Sequence, residues 1–235
     1  MNFTQLRGSG SVAFEFNNLA GDGSRITRDF LQQLIKNVIK EYTHYLNETK
    51  TFNSYPIMIF KEQQFSGIMS PAIAAITHAY LTQCPCDRKL PGVYINRGHI
   101  DYWIYFNNTV FLIELKHAHY YENSDKKINS RFKDAVKQLN AIKEDSYTYF
   151  RPNDDVNVIK IALVVIVFEK KIIDMNNISH NINISEFIDK FYKIKDMIEP
   201  NFSAIWILNK NLNNKFNYNE KYYQNPVIGF IAHIF

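Results

Sequence analysis

With 235 residues, 46% of them hydrophobic and 21% charged, the chain can bury one sizeable core and is neither a disordered tail nor a coiled coil. A formal net charge of +4, from 27 Lys+Arg against 23 Asp+Glu, permits a polyanionic partner without requiring one. Cys84 and Cys86 in QCPCD are too close together to build a disulfide framework and lack the second ligand pair of a zinc site. They read as reduced thiols, which places the protein in the cytoplasm. The opening MNFTQLRGSGSVAFEF has no basic start followed by an apolar core, so no signal peptide is expected. The longest apolar run, IALVVIVF at 161–168, is too short to span a bilayer, and no membrane partner is expected.

In chain order, VAFEF is a short strand within a Gly- and Asn-rich start. GSGS and GDGS lack the Gly-Lys-Ser/Thr of a phosphate loop. Ser24 caps an amphipathic helix from Arg25 to Leu46, with Ile26, Phe30, Leu34, Val38, Tyr42 and Tyr45 on one face. YPIMIF at 55–60 reads as a strand. Ser70-Pro71 then reads as the start of a helix through AIAAITHAYLTQ, ending before Pro85, with His78 packed in the core. GVYIN at 92–96, IDYWIYF at 100–106 and TVFLIELK at 109–116 follow as three strands. A basic helix at 126–142, a buried strand at 158–168, a helix near NISEFIDKFYKI and the strands SAIWILN and VIGFIAHIF complete the order. The Asn-, Lys- and Tyr-rich stretch 209–226 reads as a loop. The pattern is that of one mixed α/β (α+β) domain over 1–235, a central mixed sheet flanked by helices.

Asn107-Asn108 suits a two-residue hairpin turn because asparagine tolerates positive φ. Phe106 then pairs with Thr109, and counting back places Asp101 opposite Glu114, with Lys116 on the same face. Trp103, Tyr105, Val110 and Leu112 share that face. Ile100, Tyr102, Ile104, Phe111, Ile113 and Leu115 take the other, so the hairpin is expected to be covered on both sides. Facing carboxylates repel. A divalent cation between them would relieve the repulsion, and magnesium suits hard carboxylate oxygens.

Asp101, twelve residues, then Glu114-Leu115-Lys116 resembles the signature of the PD-(D/E)xK nuclease superfamily, with Ile100 where the name has proline. GHIDYWIYF is similar to the Gly-X-X-Asp lead-in of several members. The resemblance covers about residues 60–170 and implies a restriction endonuclease-like core of helix, three-stranded meander, helix and strand. It implies that Asp101 and Glu114 bind magnesium, with manganese substituting, and that Lys116 orients the attacking water and stabilises charge at the phosphate. It further implies an acid on or before the first core helix, for which Glu62 is the candidate and Glu41 the competitor. Some families add a glutamine on the next helix, where Gln138 matches. Lys126, Lys127, Arg131, Lys133 and Lys137 make that helix a candidate DNA-phosphate face or a plain solvated one. His117 and His119 are expected at the surface. The expected activity is magnesium-dependent hydrolysis of DNA, most simply as an endonuclease acting alone or as a homodimer. The alternatives are an RNA-cleaving nuclease and a non-catalytic nucleic-acid- or protein-binding module on the same fold.

Overall fold

The apolar run at 161–168 lies at the heart of a mixed sheet of nine strands. The computed structural model describes residues 1–19, 21, 23–49, 62–90, 93–120, 124–143, 146, 150–172, 183–212, 216–218 and 221–235. Its strands are β1 (Phe3–Leu6), β2 (Gly10–Phe16), β3 (Tyr80–Leu90), β4 (Val93–Phe106) and β5 (Thr109–Tyr120). They continue with β6 (Asn157–Ile172), β7 (Phe202–Leu208), β8 (Phe216–Tyr218) and β9 (Lys221–Ile234). Its helices are α1 (Ser24–Thr49), α2 (Glu62–Ala74), α3 (Asp125–Asn140) and α4 (Ile184–Ile198).

The sheet order is β1-β2-β7-β9-β6-β5-β4-β3, with β8 paired to β9. Every pairing is antiparallel except β5–β6. A parallel pair needs a crossover, and α3 supplies it between β5 and β6. Both ends of the chain extend the same sheet through β1, β2, β7 and β9. Gly10 permits the β2–β7 approach: it sits at φ 114°, and a Cβ there would lie 2.1 Å from the Ile207 carbonyl oxygen.

α1 and α2 cover one face, where Phe30, Leu34, Val38, Phe65 and Met69 pack with Ile104, Phe111, Ile113, Val165 and Trp206. Phe30 stacks on Phe111 with ring centroids 4.1 Å apart. On the opposite face Ile128 and Phe132 of α3 join Phe187 and Phe191 of α4 over Val164, Ile166 and Phe168. Burying each such side chain contributes about 1.5–3 kcal/mol before entropy is counted.

Several sequence expectations need correction. The helix expected to start at Ser70-Pro71 runs instead from Glu62 to Ala74, with Pro71 inside it. Pro71 has no N–H to give the carbonyl four residues back, and α2 accommodates it in its last turn, where the Ala75 N–H still donates to the Pro71 carbonyl. Residues Tyr80–Leu90 then form β3, because pairing with β4 overrides the helical look of AIAAITHAYL. His78 is an exposed residue between α2 and β3, not a core histidine. The meander's first strand is therefore β3, and 93–96 and 100–106 are parts of the one strand β4. Within 209–226, residues 216–218 and 221–226 are strand rather than loop. YPIMIF at 55–60 lies outside the described residues. Among the described residues no helix is long and apolar enough to cross a membrane.

Candidate functional site

Asn107 and Asn108 sit at φ 46° and 56°, the doubly left-handed turn of a tight hairpin. Phe106 pairs with Thr109, and the ladder runs back to Tyr102–Ile113. It stops one pair short of Asp101–Glu114. Beyond that point β4 continues alongside β3, from Cys84–Ile100 to Arg88–Asn96, while β5 continues alongside β6 to Tyr120–Phe168. The two strands thus part into a fork at Asp101.

The backbone groups freed by the fork are taken up by side chains. The Leu115 N–H donates to Asp101 Oδ2 at 2.8 Å, where a strand carbonyl would have accepted it. Gln83 Nε2 donates to Asp101 Oδ1 at 3.2 Å. Gln83 itself holds a left-handed φ of 52°, between the Thr82–Tyr102 and Cys84–Ile100 pairs. Side-chain alternation in β4 also changes here: Ile100 packs with Val110 and Leu112, not with Tyr102 and Ile104 as simple alternation predicts.

Glu114 and Lys116 are buried, with side chains 4% and 9% exposed. Lys116 Nζ donates to Glu114 Oε1 (2.9 Å), the Leu115 carbonyl (3.0 Å) and Glu62 Oε1 (3.3 Å). The other Glu114 oxygen accepts from Arg88 at 3.1 Å, and the same guanidinium nitrogen donates to the His99 carbonyl at 2.6 Å. Burial and the nearby Asp101 push the Glu114 carboxyl up, against the pull of Lys116 and Arg88. Burial alone would lower Lys116, but Glu114, Glu62 and Asp101 together hold it above its ordinary value, so it is a cation at neutral pH.

Glu62, the first residue of α2, shares a stripe with Ser66 and Ser70 four and eight residues on. This stripe, with Thr82, Gln83, Asp101, Tyr102 and Leu115, lines a cavity of about 450 Å³. Glu62 joins the two groups: it meets Lys116, which holds Glu114, and it lines the cavity with Asp101. The Asp101 charge acts on both Glu114 and Lys116, though neither of these is among the cavity's lining residues. Between the two candidate acids, Glu62 is the one at Lys116; Glu41 lies on α1, outside this cavity.

Other sequence-predicted residues stand apart. Gln138 is half-buried on α3, and among the described residues no hydrogen bond joins it to the cluster. Lys126, Lys127, Arg131, Lys133 and Lys137 are all exposed on α3. Lys133 and Lys137 edge a groove against Met197, Ile198 and His233 rather than the Asp101 cavity. His117 and His119 are not surface residues. His117 is buried beside Phe65, and His119 Nδ1 lies against Glu169 Oε1, because β5 runs on beside β6. Burial, with smaller effects from His119 and Arg131, lowers His117 to about 3.

Sequence reasoning missed Arg88 and Gln83. Both sit on β3: Gln83 in the stretch read as the end of a helix, and Arg88 in the stretch after it to which no element was assigned. Arg88 had a latent signal: two residues beyond Cys86, it shares that residue's strand face once QCPCDRK is read as a strand.

The carboxylates and the Leu115 carbonyl are hard oxygen donors, and magnesium takes one or two carboxylates while keeping several waters. That donor chemistry fits a divalent cation at the fork. Among the described residues no group of three or more His, Cys, Asp or Glu is placed to enclose an ion, so any such site draws on two carboxylates and water. Compared with known proteins, the chain matches no family model, no curated protein and no solved structure.

Proposed function

We propose that this protein is a magnesium-dependent nuclease of PD-(D/E)xK type that hydrolyses DNA phosphodiesters, most simply as an endonuclease. The observation that carries the reading is the fork, where Asp101, Glu114, Lys116 and Glu62 converge from β4, β5 and α2. The order α2, β3–β4–β5 meander, α3 and parallel β6 supports a restriction endonuclease-like core, elaborated by α1 and by β1, β2, β7 and β9.

Asp101 and Glu114 would hold the cation, with Glu62 at the cavity's edge. When bound, magnesium would supply Lewis acidity at the phosphate and an acidified water. Lys116 stays protonated among its carboxylates, so its ammonium can orient the attacking water and offset charge growing on the phosphate oxygens. The Leu115 N–H and Gln83 hold the Asp101 carboxylate in place. Ser66, Ser70 and Thr82 add neutral hydroxyls to the cavity wall, suited to phosphate and sugar oxygens.

A second reading has one specific observation in its favour. Both Glu114 oxygens and both Asp101 oxygens already have protein partners, as expected of a non-catalytic binding module. Incubation with supercoiled and linear DNA in Mg²⁺, Mn²⁺ or EDTA separates the two. The nuclease reading expects metal-dependent nicking that Lys116→Ala loses. A protein that retains DNA in EDTA and never cuts it is the binding module, and one that cuts only RNA moves the substrate class.

A further inference from the structure

We propose that Arg88 is an internal counter-ion bridging the fork, which holds the place of the divalent cation at Glu114 and is displaced when that cation enters. The inference rests on the nuclease reading of the site and adds a residue that the Asp-Glu-Lys pattern does not contain.

Arg88 belongs to the β3–β4 arm and Glu114 to the β5–β6 arm, so their 3.1 Å ion pair closes the gap where the ladder ends. The pair is well shielded, with side chains 13% and 4% exposed. Charge bookkeeping gives the motive. Counted formally, Glu62, Asp101 and Glu114 are three negative charges, and Lys116 and Arg88 two positive ones. Without Arg88 the surplus is two negative charges, the charge of a divalent cation.

The hold on Arg88 is incomplete in a way that suits a placeholder. One guanidinium nitrogen makes both hydrogen bonds, to Glu114 and to the His99 carbonyl, instead of the two-pronged grip arginine prefers on a carboxylate. Its Nε is buried with no hydrogen-bond partner among the described residues. The neighbouring Cys86 thiol offers only a weak acceptor. Loss of a buried partner is costly when it leaves the other charge unpaired, and an entering divalent cation avoids that cost by taking over the charge of Glu114.

The strand opposite is shaped for this side chain. A Cβ on Gly98 would lie 3.0 Å from Arg88 Nε and 3.1 Å from its Cδ. The backbone around Arg88 is fixed independently of its head group. Lys89 N–H donates to the Ala141 carbonyl, and Lys143 N–H to the Asp87 carbonyl, so the head group can move while β3 stays in place.

Thermal unfolding of the full chain, in EDTA and in Mn²⁺, tests this with wild type, Arg88→Met and Arg88→Gln. Gln keeps a hydrogen-bond donor without the charge, in case Met does not fold. The expected result is a lower Tm for both variants in EDTA and a larger Mn²⁺-induced rise than in wild type, with Mn²⁺ bound about tenfold more tightly. A Tm lowered equally in EDTA and Mn²⁺, or weaker Mn²⁺ binding, would overturn the role of Arg88 while leaving the site reading intact. No Mn²⁺ effect on wild type or either variant would overturn both.

Discussion

The two ends of the β4–β5 hairpin differ instructively. At the turn end, Asn107 and Asn108 take left-handed conformations, the ladder is regular, and side chains alternate between two apolar cores. At the fork end, backbone pairing stops, alternation changes at Asp101, and an arginine from a third strand replaces the expected partner. The regular end supplies stability through burial and hydrogen bonds made within the hairpin. The forked end gives up a ladder rung and concentrates charge, which is where a protein keeps groups meant for something other than its own backbone.

The largest effect is expected from Asp101→Asn and Glu114→Gln. Each should lower metal-dependent cutting by about three orders of magnitude or more, as lost ligands do at a Lewis-acid site. Asn at 101 still offers an oxygen to the Leu115 N–H, so far-ultraviolet circular dichroism should be unchanged. Asp101→Ala should additionally cost about 1–3 kcal/mol, because that N–H is orphaned. Full cutting by Asp101→Asn would remove the fork from the chemistry altogether.

Next in size is Lys116→Ala, with cutting lowered about 10²–10³-fold, the usual loss on removing one electrostatic stabiliser. Lys116 is raised in the folded state, so its contribution to stability is fully present below the ordinary lysine range and is lost as pH rises through the raised value. Tm profiles at alkaline pH should therefore fall more steeply for wild type than for Lys116→Met.

His117 gives an effect on stability of the opposite sign. Its folded value of about 3 lies below the ordinary 6.5, so the unfolded chain binds the extra proton in between. Stability should fall as pH drops from 6.5 towards 3, by up to about 1.4 kcal/mol per pH unit. His117→Phe, placed beside Phe65, should flatten that acid limb in denaturant titrations; an unchanged limb would mean His117 is not the titrating group.

Smallest is the turn itself. Asn107→Gly should change stability by no more than about 0.5 kcal/mol, since both residues tolerate the left-handed conformation. A loss above 1 kcal/mol would show that the regular end depends on more than turn geometry.

What could be read from the sequence follows the same division. The turn, α1, α3 and β6 were legible because period and register are local properties, whereas the Asp101–Glu114 rung expected from that register is absent because the ladder ends at Tyr102–Ile113. The α2–β3 boundary was not, since Ser70-Pro71 mimics a helix start and only pairing with β4 makes Tyr80–Leu90 a strand. Misplacing that strand hid Arg88 and Gln83. His117 and His119 were misjudged because their cover comes from β6 and α2, distant in the chain. The joining of both chain ends into the sheet through β2–β7 and β7–β9 is likewise non-local.

The most direct test of the account is a calorimetric titration of Mn²⁺ into wild-type protein and Asp101→Asn at neutral pH. The account predicts saturable binding to wild type that weakens at least tenfold, or vanishes, in the variant. Equal binding to both proteins, or none to the wild type, would contradict a divalent-cation site at the fork.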